Sequence, residues 1–195
     1  IARCPGNLEG ETVLEVGPGP GGLTRAILGC GAKHLYAIEK DTRCLQPLSD
    51  ISEAFDGRLT VIEGDALSVA EQDILPEKAH IIANLPYNVA TPLLIKWLKS
   101  RDQFKSMTLM FQKEVADRII AGPGTKAYGR LSIISQWLCR VSKQFDLSPK
   151  AFTPPPKVVS TVVKLIPREQ PVFPADMAML EKIVATAFGQ RRKML

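Results

Sequence analysis

The sequence predicts a doubly wound α/β fold, a mostly parallel sheet covered by helices and finished by an antiparallel pair. Three observations predict it. Short apolar, β-branched runs alternate with amphipathic segments from Thr12 to Ile120. A glycine-rich turn, "GPGPGG", separates the first run from the first helical pattern. The last two β-branched runs follow each other with no helix between them, so they can pair antiparallel.

Taken in order, Thr12–Val16 reads as the first strand and Gly22–Leu28 as the helix opened by the glycines. His34–Ile38 is a second strand, and Thr42–Phe55 has helical spacing of apolar residues. Leu59–Ile62 and Ala79–Ala83 are the third and fourth strands, continuous and apolar as strands buried on both faces must be. A helix is expected near Thr91–Lys99. Ser106–Phe111 and the helix Gln112–Ile120 complete the alternation. "GPG" at Gly122–Gly124 marks a flexible connection before the helical Leu131–Leu138. Val141–Leu147 and Val158–Ile166 are the closing strands, which brings the sheet to seven. The prolines at 167, 171 and 174 form a linker, and Ala175–Phe188 is amphipathic. The expected division is a catalytic unit over residues 1–167. Residues 168–195 then form a linker and the beginning of a small helical C-terminal domain.

Composition narrows the function classes. A chain of 195 residues with 45% hydrophobic content can bury a core without disulfides. No apolar run approaches the roughly 20 residues that span a bilayer, and no basic-then-apolar leader is visible. Cys4, Cys30, Cys44 and Cys139 are scattered without a CxxC pair, so disulfide or zinc chemistry is not expected and a reducing, cytoplasmic setting is. His34 and His80 each stand at the start of an apolar run and read as strand-start residues, not metal ligands. The net charge of +5 leans toward a polyanionic partner. The chain opens at Ile1 instead of methionine and reads as a fragment of a longer protein.

The chemistry is carried by strand ends. Gly17, Gly19 and Gly22 satisfy G-x-G-x-x-G between strand and helix, the place where a nucleotide-like cofactor meets the backbone. Glu39 ends the second strand about 20 residues later, where a carboxylate accepts from ribose hydroxyls. "EGDAL" ends the third strand, and there Asp65 can accept from an adenine amine while the Ala66 amide donates to the ring. These features serve either a nicotinamide dinucleotide or S-adenosylmethionine. The fourth strand separates them, because it ends in "NLPY". Pro86 biases Leu85 toward an extended backbone. The Asn84 side-chain oxygen and the Leu85 carbonyl are then two convergent acceptors for one exocyclic amine, with Tyr87 available to stack on its ring. Held this way, an aryl amine presents its lone pair to a methyl group, and positioning does most of the work. No catalytic histidine or cysteine is needed.

The segments "EVGPGPGGLT", "AIEKD", "EGDAL", "NLPYNVATPLL", "FQKEVADRI", "YGRLS" and "FTPPPKVVS" run in order from Glu15 to Ser160. On them the chain resembles the ribosomal RNA adenine N6,N6-dimethyltransferases that act on small-subunit RNA, most closely the bacterial kasugamycin-sensitivity type. Mitochondrial members, which include a transcription factor, are similar. Leucine in NLPY, in place of the proline of NPPY or DPPY enzymes, favours RNA over DNA. The resemblance implies a Rossmann-like methyltransferase fold and S-adenosylmethionine as cofactor. It implies cofactor contacts from Glu15, Gly17, Gly19, Gly21, Glu39, Lys40, Asp65, Ala66 and Asn84. It further implies that Asn84, Leu85, Pro86, Tyr87 and Phe152 form the pocket for the target base. Arg118, Lys126, Arg130, Lys150 and Lys157 are the candidates for RNA phosphates, and Arg191, Arg192 and Lys193 form a denser basic cluster. The implied partner is small-subunit ribosomal RNA or the pre-30S particle, met by a monomer without metal or membrane. The family's N-terminal Gln-Asn-Phe-Leu-type segment and most of its small helical domain are not in this sequence. Two rival readings stand beside this one: an NAD-dependent oxidoreductase, and a ribosome-assembly or transcription factor acting by binding alone.

Overall fold

The computed structural model describes residues 1–152 and 155–189. Strands β1 (Thr12–Val16), β2 (His34–Glu39), β3 (Leu59–Glu63), β4 (Ala79–Ala83), β5 (Phe104–Gln112), β6 (Cys139–Leu147) and β7 (Ser160–Pro167) form one sheet. Their order is β3-β2-β1-β4-β5-β7-β6. The first five run parallel; β7 pairs antiparallel with both β5 and β6. The chain crosses from one outer half to the other between β3 and β4, so the crevice at the carboxyl ends of the adjacent β1 and β4 is the topological switch point.

Period-two alternation sends side chains to two cores. On one face Val13, Leu35, Ala37 and Ile82 pack with Ile27 and Leu28 of α1 (Gly22–Gly29) and with Leu48 and Ile51 of α2 (Leu45–Ala54). On the other, Leu14, Val16, Ile81 and Ala83 pack against α3 (Tyr87–Lys99), α4 (Lys113–Ile120) and α5 (Arg130–Leu138). Trp97 of α3 is fully buried there. α6 (Met177–Gly189) lies on the α5 side, with Val184 buried and Phe188 edge-on to Tyr128 at 6.1 Å between ring centroids.

Most bounds lie within two residues of the sequence expectation; two elements depart further, and each has a local cause. The segment from Thr42 splits into a short 3₁₀ turn, Thr42–Cys44, and then α2. Asp41 caps the turn by accepting from Arg43 N at 3.0 Å, and Pro47 fits the first turn of the helix that follows. α3 starts at Tyr87, four residues before the expected Thr91. Pro86 sits at its N-cap with φ −56° and ψ 132°, and its carbonyl accepts from Val89 N and Ala90 N at 3.1 Å. Pro92 therefore lies within the helix, past its first turn, where it donates no bond to the preceding turn.

Candidate active site

Asn84 follows the last residue of β4 and is exposed; Leu85 turns inward and is 1% exposed. Tyr87, opening α3, shares a hydrogen bond of 2.8 Å between its hydroxyl and Ser160 Oγ at the start of β7. From the far side comes Phe152, which follows the 3₁₀ turn Pro149–Ala151 capped by Ser148. Asn84, Leu85, Pro86, Tyr87, Phe152, Met110 and Pro156 line an open cavity of about 270 Å³. The segments expected to form the base pocket, some 70 residues apart in sequence, thus converge on one space. Met110 and Pro156 were not expected there. Met110 carries no sequence signal beyond a buried strand position; it reaches Asn84 because β4 and β5 run in register at Ala83 and Leu109.

The glycine turn lies beside this cavity. A Cβ on Gly17 would stand 3.7 Å from Pro86 Cδ, so the loop and the NLPY segment meet at backbone distance. Gly17, Gly19 and Gly21 have φ of 68°, 55° and 86°, the left-handed region. The third glycine of the literal motif, Gly22, is an ordinary first residue of α1 with open space at its Cβ. Gly21 is the constrained one: a Cβ there would fall 2.1 Å from Ile51 Cδ1.

Two carboxylates support the turn. Glu39, only 7% exposed, accepts Gly19 N at 2.9 Å on one oxygen and Lys40 N and Asp41 N at 2.8 Å on the other. Glu15 is deeper, at 1% exposure, and accepts the Thr24 hydroxyl at 2.7 Å. Burial pushes its carboxyl up to about 7; the Thr24 bond pulls it down and the charge of Glu39 adds to the rise. Glu15 therefore sits beneath the turn, and Glu39 holds it from the side. Asp65 accepts Leu67 N at 3.0 Å and pairs with Lys40 Nζ at 2.9 Å. The Lys40 bond, then the Leu67 amide, hold the Asp65 carboxyl below the ordinary carboxylate range. Ala66 is 8% exposed, against the core.

This donor set discriminates between ligands. A dinucleotide's pyrophosphate needs free amides at the turn, but the Gly19 amide is committed to a carboxylate and a second carboxylate lies below. The turn therefore offers a phosphate one backbone donor fewer, with the Glu39 carboxylate beside it.

The basic candidates divide into two groups. Lys150 and Lys157 are exposed and lie close in sequence to Phe152 and Pro156, which line the small cavity, but do not line it themselves. Arg118, Lys126 and Arg130 line a separate cavity of about 820 Å³ among α3 to α6, which shares no residue with the first. It is larger, yet none of the strand-end acceptors lines it. Arg118 is paired with Glu114 one helical turn away. The cluster Arg191, Arg192 and Lys193 lies outside the described residues. Among the described residues no group of three or more His, Cys, Asp or Glu is placed to hold a metal ion, and no helix is long and apolar enough to cross a membrane.

Comparison with known proteins yields one family. The family model described as ribosomal RNA adenine dimethylase matches residues 5–195. Over all 195 residues the chain is 59% identical to ribosomal RNA small subunit methyltransferase A of Rhodospirillum rubrum and spans 68% of that protein. It superposes on a dimethyladenosine transferase from Plasmodium falciparum with a TM-score of 0.83 at 36% identity, covering 95% of this chain and 66% of that one. The 23S rRNA methyltransferase ErmE follows at a TM-score of 0.75 and 26% identity, covering 97% of this chain and 76% of its own. The chain thus spans about two thirds of the first two relatives.

Proposed function

The chain belongs to the ribosomal RNA adenine dimethylase family, and we propose that it moves methyl groups from S-adenosylmethionine to N6 of adenosines in small-subunit ribosomal RNA, yielding N6,N6-dimethyladenosine. The observation that carries this reading is the shared cavity of Asn84, Leu85, Pro86, Tyr87 and Phe152 directly beside the glycine turn. An amine acceptor and a nucleoside site within backbone distance are what methyl transfer to a base requires.

S-adenosylmethionine, when bound, supplies a methyl group already activated on a sulfonium. Glu39, Asp65, Ala66 and the Gly17–Gly21 turn would hold its nucleoside, and the Glu39 carboxylate favours its cationic end. Asn84 and the Leu85 carbonyl accept the two N–H bonds of the target amine and turn its lone pair toward the cofactor crevice. Tyr87 and Phe152 flank the base, which must leave its stack to enter. Once alkylated, the nitrogen loses its proton without a strong base. Met110 and Leu85 give the amine an apolar neighbourhood that tolerates one methyl group while the second is added.

In this reading residues 1–167 are the catalytic unit, and 168–195 are a linker leading into a helical domain. Lys150 and Lys157 grip phosphates next to the target base; Arg118, Lys126 and Arg130 serve more distant RNA. The protein works in the cytoplasm as a monomer on the pre-30S particle. The reading is tested by mass spectrometry of small-subunit RNA incubated with the full-length protein and methyl-labelled cofactor. Labelled dimethyladenosine is the expected product. Tight binding of NAD with no labelled adenosine would replace this reading with a dehydrogenase.

A further inference from the structure

A lysine and a glutamate outside the expected site are built into the loop that leaves β3. Lys96, on the last turns of α3, donates to the Ala66 carbonyl at 2.7 Å, to the Val69 carbonyl, and to Glu71 Oε1 at 2.7 Å. Those acceptors use all three N–H bonds of an ammonium. Glu71 is 1% exposed and also receives the Trp97 indole N–H at 2.7 Å. Lysine normally keeps its ammonium in water. Here it is turned against protein carbonyls and an almost fully buried carboxylate, with side-chain exposures of 25% and 2%.

The loop it grips carries Asp65 and Ala66. From outside, the loop is held by the Lys40–Asp65 pair, whose side chains are 76% and 39% exposed, an arrangement that contributes little. Inside the turn, Ser68 N and Val69 N both return to the Asp65 carbonyl, which shapes it but does not anchor it to the domain. Ala66 and Val69 pack against the core, and Lys96 adds the polar anchor for their carbonyls. The helix that opens on Tyr87 at the acceptor cavity thus holds the Asp65–Val69 backbone near its other end.

We propose that Lys96, backed by Glu71, is a positioning residue for the cofactor's adenine: it fixes the Ala66 peptide and through it the edge that reads the ring. This rests on the cofactor reading above. Its effect falls on cofactor affinity and leaves the transfer step, which depends on Asn84, nearly untouched.

The test uses the full-length protein and the variants Lys96→Met, Lys96→Arg and Lys96→Gln. Calorimetry with S-adenosylmethionine and with S-adenosylhomocysteine is expected to show Kd raised roughly 10- to 100-fold in Lys96→Met, the scale of a lost charge-assisted hydrogen bond. Lys96→Arg recovers much of the loss, and Lys96→Gln, the milder change, falls between. At saturating cofactor kcat stays within about threefold while the cofactor KM rises, as expected when binding alone is lost. In the ligand-free protein, hydrogen exchange quickens for the amides of residues 65–71 while those of β5 and β7 keep their protection. Parent-like Kd values in Lys96→Met, or faster exchange spread evenly over the sheet, would make this a structural ion pair and overturn the proposal. Failure of the parent to bind either nucleoside would instead overturn the cofactor reading, and this proposal with it.

Discussion

Tyr87 and Ser160 are joined by a 2.8 Å hydrogen bond between the first residue of α3 and the first residue of β7. The bond fixes one wall of the acceptor cavity to the strand that follows the Phe152 loop. Tyr87→Phe keeps the ring and removes the tie. Methylation is expected to fall about fivefold to tenfold, the scale of one neutral hydrogen bond. Ser160→Ala should match it, and the double variant should be no worse than either; additive losses in that cycle would show that the bond is not what matters.

Asn84→Ala removes the side-chain acceptor at the end of β4. A loss of about 100-fold or more in kcat is expected, larger than the loss of cofactor affinity that goes with its expected cofactor contact, since a preorganised polar group acting on the reacting atoms is worth that much. Rapid-quench kinetics beside cofactor calorimetry measures both quantities. Normal turnover would remove Asn84 from the mechanism.

Gly21 and Gly22 are adjacent and should respond in opposite ways. Gly21→Ala places a methyl in a backbone of φ 86° and against buried Ile51, and should cost about 2–4 kcal/mol in urea unfolding. Gly22→Ala adds a methyl to a helical residue facing open space and should be neutral or stabilise by up to ~1 kcal/mol. The literal motif would assign the sensitive role to Gly22.

Glu15 makes stability depend on pH. Its folded carboxyl is raised to about 7 against an ordinary value of 4.5. Its contribution is therefore fully present below about pH 4.5 and is lost as pH rises toward 7, where the unfolded chain holds fewer protons than the folded one. The full effect is of order 3 kcal/mol, at about 1.4 kcal/mol per pKa unit. Glu15→Gln should flatten the decline between pH 5 and pH 8 in denaturant titrations. An unchanged slope would show that another group controls it.

Phe152→Ala should weaken RNA binding by about 1–3 kcal/mol through lost base stacking. Lys150→Ala and Lys157→Ala should each lower the slope of log affinity against log salt by roughly one. Filter binding across a salt series separates the two effects, because loss of stacking leaves the slope alone.

The strands were legible because buried parallel strands are continuous apolar runs; Thr12–Val16 and Ala79–Ala83 are found at their expected bounds. The start of α3 was not, because Pro86 stands at its N-cap and no side-chain cap marks the opening. The positions of Asn84, Glu39 and Asp65 at or just beyond the carboxyl ends of strands were legible as well. Met110, Ser160, Lys96 and Glu71 were not: each acts through a neighbour distant in sequence, and nothing local marks them. Gly21 shows the same limit, since its constraint is Ile51, thirty residues onward.

The strand order has a bearing on how the chain is made. β7 lies between β5 and β6 but follows both in sequence. A chain emerging from its N-terminus therefore presents a bare β5 edge, with Met107, Leu109 and Phe111 awaiting cover, until Pro167 has been synthesised. Such an edge invites pairing with a second nascent chain. The nucleoside half is complete much earlier, whereas the acceptor cavity lacks Phe152, Pro156 and the Ser160 tie until that strand docks. Premature termination inside β7 would leave an aggregation-prone product with a crevice for the methyl donor and no finished place for its recipient.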